Sequence, residues 1–256
     1  VLFSFYHEKE ENRMEITIKA EKITKSYGSL KALDQFDLTV GRGEIFGLLG
    51  ANGAGKSTAL ECILGTRKPD FGTVEILGMN PCINRKELFE RVGVQFQETS
   101  YQDKIRVWEL CEVTASLYKK PRDPELLLNQ FGLSDKLNVM VNDLSGGQKQ
   151  RLFIVLALIA DPEVIVLDEL TTGLDVRARR DVWNRILKLK EDGLTVLLTS
   201  HFMDEVEILC DKIMILKDGR TVFEGTVKEA VRNSPYDQLE DAYFYFAEEE
   251  KENETI

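Results

Sequence analysis

The chain has 256 residues, 43% of them hydrophobic, enough to bury the core of one large α/β domain. Its formal net charge of −11 argues against non-specific binding of nucleic acid or anionic lipid through the bulk surface. Its longest apolar stretches, such as residues 152–160, fall far short of the ~20 residues a bilayer span needs, and no secretory leader is visible, so the expectation is a soluble, cytoplasmic chain.

Residues 1–13 show no period and read as a disordered extension or a translation artefact. The folded domain is expected from Met14, where Ile16, Ile18 and Ala20 alternate as in a half-buried strand. Phe36, Leu38 and Val40 alternate again, and Gly41-Arg42-Gly43 turns into the apolar run 45–49, which reads as a buried strand. A helix is expected over 58–64, then strands over 73–77 and 91–96. Helices over 107–118 and 125–131 form the start of a helix-rich insertion, placed at about 99–160, and a long apolar helix over 149–160 closes it. The four cysteines (Cys62, Cys82, Cys111, Cys210) are scattered through these elements without metal-ligand spacing and are expected to be reduced. Strands return at 164–167, 195–198 and 212–216, and this alternation of strand with helix predicts a mostly parallel sheet with crossover helices. Asp218-Gly219 signals a hairpin. Residues 236–256 read as a terminal helix followed, from Glu248, by an acidic disordered tail. The main domain is thus placed at 14–235, without an internal repeat.

Two helix starts in the chain are suited to anions. The first is Gly50-Ala51-Asn52-Gly53-Ala54-Gly55-Lys56-Ser57-Thr58, set between the buried strand and the helix, which is the context that a phosphate-binding P-loop requires. Its glycines let backbone N–H groups curl around phosphate, Lys56 offers a point charge, and Ser57 offers a hydroxyl to Mg²⁺. The second is Leu144-Ser145-Gly146-Gly147-Gln148, where Ser145 is a good N-cap for the long apolar helix and the free N–H groups attract negative charge. A further strand, Val164-Ile165-Val166-Leu167, ends in Asp168-Glu169. Ligands of open α/β sheets bind beyond the carboxyl ends of strands, so Asp168 is placed to hold Mg²⁺ and Glu169 to orient or deprotonate a water.

On these three motifs, in this order, the chain resembles the ATP-binding cassette (ABC) family of ATPases over residues 16 to about 232. The LSGGQ stretch is the most discriminating of them. The resemblance implies an α/β fold: a P-loop NTPase core with a mostly parallel sheet, an antiparallel β subdomain and a helical insertion subdomain. It implies hydrolysis of ATP with Mg²⁺. It also identifies Tyr27 with the aromatic that stacks on adenine, although the residues alone favour an exposed strand-end tyrosine. Gln97 matches the glutamine that touches Mg²⁺ and the attacking water, with Gln95 a nearby competitor. Asp175 matches the loop that crosses a dimer interface and would also serve as a helix N-cap. His201 matches the switch histidine at the γ-phosphate. Two positions depart from the family's pattern: Ala51 in the P-loop, where the family often has proline, and Leu170 after Glu169, where proline is usual.

The same resemblance implies a homodimer sandwiching two ATP, in which Ser145 and Gly147 of one copy, with Gln148 beside them, close over the P-loop of the other. In transporter members a groove beside the insertion receives the membrane partner, and residues 99–106 are the expected contact. The end of the chain, residues 223–226 and 239–244, looks like that of drug-resistance-type exporter cassettes. The leading expectation is therefore the ATPase subunit of an exporter, peripheral on the inner face of the membrane, with an integral membrane permease on a separate chain and no nucleic-acid partner. The alternative is a soluble cassette ATPase that drives assembly of a cytoplasmic complex such as iron–sulfur cluster machinery.

Overall fold

The structure, a computed structural model, describes residues 15–96 and 101–247. The proposed extension over 1–13, the acidic tail from Glu248, and Gln97 lie outside the described residues. In chain order the elements are β1 (Ile16–Tyr27), β2 (Leu30–Gly41), β3 (Ile45–Gly50), α1 (Lys56–Ile63), β4 (Phe71–Ile76), α2 (Arg85–Leu88), β5 (Val92–Gln95), α3 (Val107–Ala115) and α4 (Pro124–Gln130). Two short 3₁₀ turns precede α5 (Gly146–Leu158), β6 (Val164–Asp168), α6 (Val176–Glu191), β7 (Thr195–Thr199) and α7 (Met203–Leu209). The hairpin β8 (Lys212–Lys217) and β9 (Arg220–Gly225) is followed by α8 (Val227–Arg232) and α9 (Leu239–Ala247).

The strands form two sheets. Three of them make an antiparallel sheet in the order β2-β1-β4, and six make a second sheet in the order β5-β6-β7-β3-β8-β9. The second sheet is parallel except for β9, which returns antiparallel beside β8. Asp218 and Gly219 both take positive φ at that return, the pair of left-handed residues that a tight hairpin turn needs.

Alternation along the six-stranded sheet decides what covers each face. Ile45, Ile165, Leu167, Val196 and Leu198 point into one core, which they share with Leu152 and Val155 of α5, Leu127 of α4 and Trp183 of α6. Phe46, Leu48, Val166, Leu197 and Met214 point into a second core, roofed by α1 and by Ile18, Phe36, Leu38 and Val74 of the antiparallel sheet. A third cluster joins Leu49, Ile213 and Ile215 to Phe223, Ala230 and Leu239. Because both faces are covered, these strands read in sequence as unbroken apolar runs.

Some ends differ from the sequence expectation. Helix α3 stops at Ala115 instead of 118, because the amides of Leu117 and Tyr118 turn back to Thr114 and Ala115, three residues earlier. Helix α5 starts at Gly146, three residues earlier than expected, and α1 starts at Lys56. Pro124, read as punctuation, is the first residue of α4, where its missing N–H costs nothing, and Asp123 caps that helix.

Candidate functional site

The sheet order brings three strand ends together. Strand β7 lies between β6 and β3, and Asp168 is level with Thr199, which is itself level with Leu48. The turn after β3, the Asp168-Glu169 pair after β6, and Ser200-His201 after β7 therefore open at the same edge. They border a cavity of about 700 Å³ lined by Tyr27, Asn52, Gly53, Gly55, Lys56, Ser57, Thr58, Asp168, Glu169 and His201, with Leu30 and Ala32.

The loop after β3 has the backbone of an anion cradle. Gly50, Gly53 and Gly55 have φ of +152°, +85° and +110°. At Gly55 a Cβ would stand 2.5 Å from the Ala32 carbonyl oxygen, and at Gly50 it would stand 2.7 Å from that of Leu216, so both positions exclude a side chain on space as well as on φ. Gly55 caps α1 without any side-chain hydrogen bond, and the first turn of α1 carries no acidic residue. The free N–H groups there are open to an anion. Ala54, expected among the nucleotide contacts, is 5% exposed in the core and does not line the cavity; its carbonyl accepts from Gly219. Lys56 folds back over the loop, its Nζ donating to the carbonyls of Gly50 (2.6 Å) and Ala51 (3.0 Å). Burial lowers the pKa of its ammonium group, and the carboxylates of Glu169 and Asp168 oppose that shift.

The acidic pair is held by neighbours that the sequence did not single out. The Thr199 hydroxyl donates to Asp168 Oδ1 at 2.6 Å and accepts from the Glu169 N–H at 3.0 Å. Glu169 sits at φ +53°, a left-handed conformation that is costly for a residue with a Cβ. Gln150 of α5 reaches the same turn, its Nε2 donating to the carbonyls of Leu170 (2.8 Å) and Glu169 (3.4 Å). The Glu169 carboxylate then meets Thr172 Oγ1 at 3.1 Å and His201 Nε2 at 3.3 Å. No sequence signal points to Thr199 as an anchor, since only the parallel register brings it level with Asp168. Gln95 turns inward: its Nε2 donates to the carbonyls of Phe96 and Asp168, and it does not line the cavity.

Tyr27 is the exposed strand-end tyrosine that the residues alone favour, and it also borders the cavity. It ends β1 and is 41% exposed, with the Arg67 guanidinium 5.3 Å from its ring centre. The second anion-suited helix start is not brought to this cavity. Ser145 caps α5 by accepting from the Gln148 N–H, while the Gln148 side chain accepts from the Ser145 N–H, so that side chain is occupied in a capping box. Gly147 packs beside Leu174. Asp175 caps α6, accepting from Arg177 and Ala178.

A glycine-lined helix start, a lysine and a strand-end acidic pair on a mostly parallel sheet define a P-loop nucleotide-binding domain. The family described as ABC transporter matches residues 33–172, and the chain belongs to that family. Among curated relatives, the Nod factor export ATP-binding protein I of Rhizobium meliloti is 41% identical over 216 residues, which cover 82% of this chain and 64% of that protein. Its counterpart in Ralstonia nicotianae is 38% identical over 221 residues, covering 84% of this chain and 68% of that protein. Among solved structures, an ATP-binding subunit of an ABC transporter superposes with a TM-score of 0.82 at 26% identity, covering 90% of this chain and 99% of that one. A dimeric post-hydrolysis cassette bound to ADP and Pi superposes with a TM-score of 0.74 at 28% identity, covering 82% of this chain and 98% of that one. These structures share the α/β architecture described above.

Proposed function

We propose that the chain is the ATP-hydrolysing subunit of a membrane exporter, driven by closure of a dimer around two nucleotides. The observation that carries this reading is the convergence of Lys56 and its glycine cradle with Asp168, Glu169 and His201 on one cavity. In this reading Tyr27 stacks on adenine, with Asn52, Thr58 and the N–H groups of Gly53 and residues 55–57 around the phosphates. Lys56 exchanges the carbonyls of Gly50 and Ala51 for phosphate oxygens.

The donors present fit Mg²⁺. Ser57 and Asp168 are hard oxygen ligands on the same cavity, and Gln97 would add a third. No group of three or more His, Cys, Asp or Glu side chains among the described residues could cage a metal. That suits an ion whose coordination is completed by phosphate and water. When bound, Mg²⁺ neutralises charge on the phosphates. Glu169 orients the attacking water and takes its proton, and His201 faces the γ-phosphate with its Nε2 held near Glu169.

Ser145 and Gly147 stand away from this cavity, so they serve the site of a second copy, with Gln148 ordering the helix start and the Asp175 loop beside them. The dimeric cassette that superposes on the chain supports this arrangement. The exporter reading is supported by relatives whose own names specify Nod factor export. The partner in this reading is a permease on a separate chain, contacted around residues 99–106, which keeps the subunit at the inner face of the membrane. No helix among the described residues is long and apolar enough to cross a membrane.

The test is Glu169→Gln. Hydrolysis of MgATP should fall by roughly a hundredfold or more, while ATP binding is retained. Rapid turnover by this variant would overturn the role of Glu169. The same variant, tagged and extracted in mild detergent with MgATP, should retain a multi-span membrane protein. Recovery of soluble partners alone would favour the assembly-ATPase alternative.

A further inference from the structure

Glu205, in the first turn of α7, is fully buried, and its carboxyl lies at the junction of three segments. Its Oε1 accepts from Thr171 Oγ1 at 2.7 Å and from Trp183 Nε1 at 2.8 Å. Thr171 is two residues beyond Glu169. Trp183 belongs to α6, the helix capped by Asp175. Glu205 itself stands four residues beyond His201. Next to it, Arg179 of α6 pairs with Asp204 at 3.3 Å and lies 3.9 Å over the ring of Phe202, which ties the His201 turn to α6 by a second route.

The remaining oxygen, Oε2, is buried without a hydrogen-bond partner. Buried polar atoms are rarely left in this state without a reason. Burial pushes the Glu205 carboxyl above its ordinary pKa, and hydrogen bonds from Ser200, Thr171 and Trp183, with the Arg179 charge, pull the other way. The geometry is that of a carboxyl with one oxygen accepting two donors and the other unpartnered, which a neutral carboxyl would match, its O–H being then free to donate.

We propose that Glu205 is a positioning residue for the hydrolytic step: it clamps the turn bearing Glu169 to the turn bearing His201 and to α6, and so maintains the Glu169–His201 contact. The inference rests on the ATPase reading above. Among the described residues none of the hydrogen-bond partners of Glu205 lines the cavity, so its loss should act on turnover and leave binding alone. A glutamine can reproduce the proposed pattern, with its amide oxygen accepting and its NH₂ donating.

Glu205→Gln, Glu205→Leu and Thr171→Val would be assayed for MgATP turnover beside the unaltered chain. Glu205→Leu should lower kcat by roughly tenfold to a hundredfold, the scale of a small displacement at a reacting group, with KM changed less than about threefold. Glu205→Gln should stay within about threefold of the unaltered chain in both constants. Should the leucine variant not fold, Thr171→Val, which removes only one donor at the rim of the clamp, should still lower kcat by about threefold to tenfold at constant KM.

Equal kcat in Thr171→Val and the unaltered chain would overturn the inference, as would a rise in KM at constant kcat. Failure of Glu205→Gln as severe as that of the leucine variant would overturn the neutral hydrogen-bonding role. An unaltered chain that hydrolyses no ATP would overturn the ATPase reading itself, an outcome distinct from these.

Discussion

Thr199→Val removes one hydroxyl and keeps the shape, and the site's geometry sets what should follow. The hydroxyl serves two partners at once, donating to the Asp168 carboxylate at 2.6 Å and accepting from the Glu169 N–H at 3.0 Å. A hydrogen bond to a charged group contributes about 1.5–3 kcal/mol and a neutral one about 0.5–1.5 kcal/mol. Asp168 borders an open cavity, so water can replace its lost donor, and the lower ends of both ranges apply. The sum is about 2 kcal/mol of stability. The catalytic effect should be of similar size, because the Glu169 N–H is one of the restraints that hold its residue at φ +53°. That conformation costs about 1–2 kcal/mol and relaxes if an anchor is lost. We therefore expect denaturant unfolding to show a loss of about 2 kcal/mol and kcat to fall by about tenfold to thirtyfold. Thr199→Ser should recover most of both. A valine variant with unchanged unfolding midpoint and unchanged kcat would refute the idea that this hydroxyl fixes the acidic pair.

Three other outcomes can be checked directly. Lys56→Ala and Ser145→Arg should each abolish turnover in a homodimer, but mixed copies should regain part of it, because one composite site then carries neither change; a mixture as inactive as its parents would argue against sites shared between copies. Tyr27→Phe should bind a fluorescent ATP analogue as the unaltered chain does, and Tyr27→Ala should bind it roughly tenfold more weakly, a loss of about 1.4 kcal/mol, comparable to one aromatic stacking contact; equal affinity of the two would remove Tyr27 from the site. Burial raises the thiol pKa of Cys62 to about 11 and of Cys111 to about 12, so both stay protonated at neutral pH, while Cys82 is exposed. A thiol reagent at pH 8 should label Cys82 first and reach Cys62 and Cys111 only on unfolding; fast labelling of either buried thiol in the folded chain would contradict their burial.

The sequence made the local parts of this site legible and left the relations between parts hidden. A glycine run between an apolar strand and a helix states its own conformation, because only glycine tolerates the φ values of residues 50, 53 and 55. The parallel strands could be read because both faces are buried, which leaves a run of apolar residues in the chain. Strand order and register leave no such trace. That β7 runs between β6 and β3, and that Thr199 is level with Asp168, depends on packing among elements distant in sequence. At Gln148 the motif and the local geometry speak to different things: the motif implies a nucleotide contact across a dimer, and within one copy the side chain closes a capping box with Ser145.

The departure at Leu170 is explained by the same long-range ties. Proline at this place would stiffen the turn after Glu169 through its fixed φ. Leu170 cannot do that, but its side chain is fully buried in the core cluster to which α5 contributes, and its carbonyl accepts from Gln150. Thr171 then bonds to Glu205, and Thr199 holds the N–H of Glu169 from the other side. Restraint that a ring would impose within one residue is here distributed over α5, α7 and β7. Gln150 thereby links α5, which carries the Ser145–Gln148 helix start, to the backbone of the Glu169 turn by hydrogen bonds. The residue that departs from the family's pattern thus sits where the signature helix and the turn of the acidic pair are hydrogen-bonded to each other.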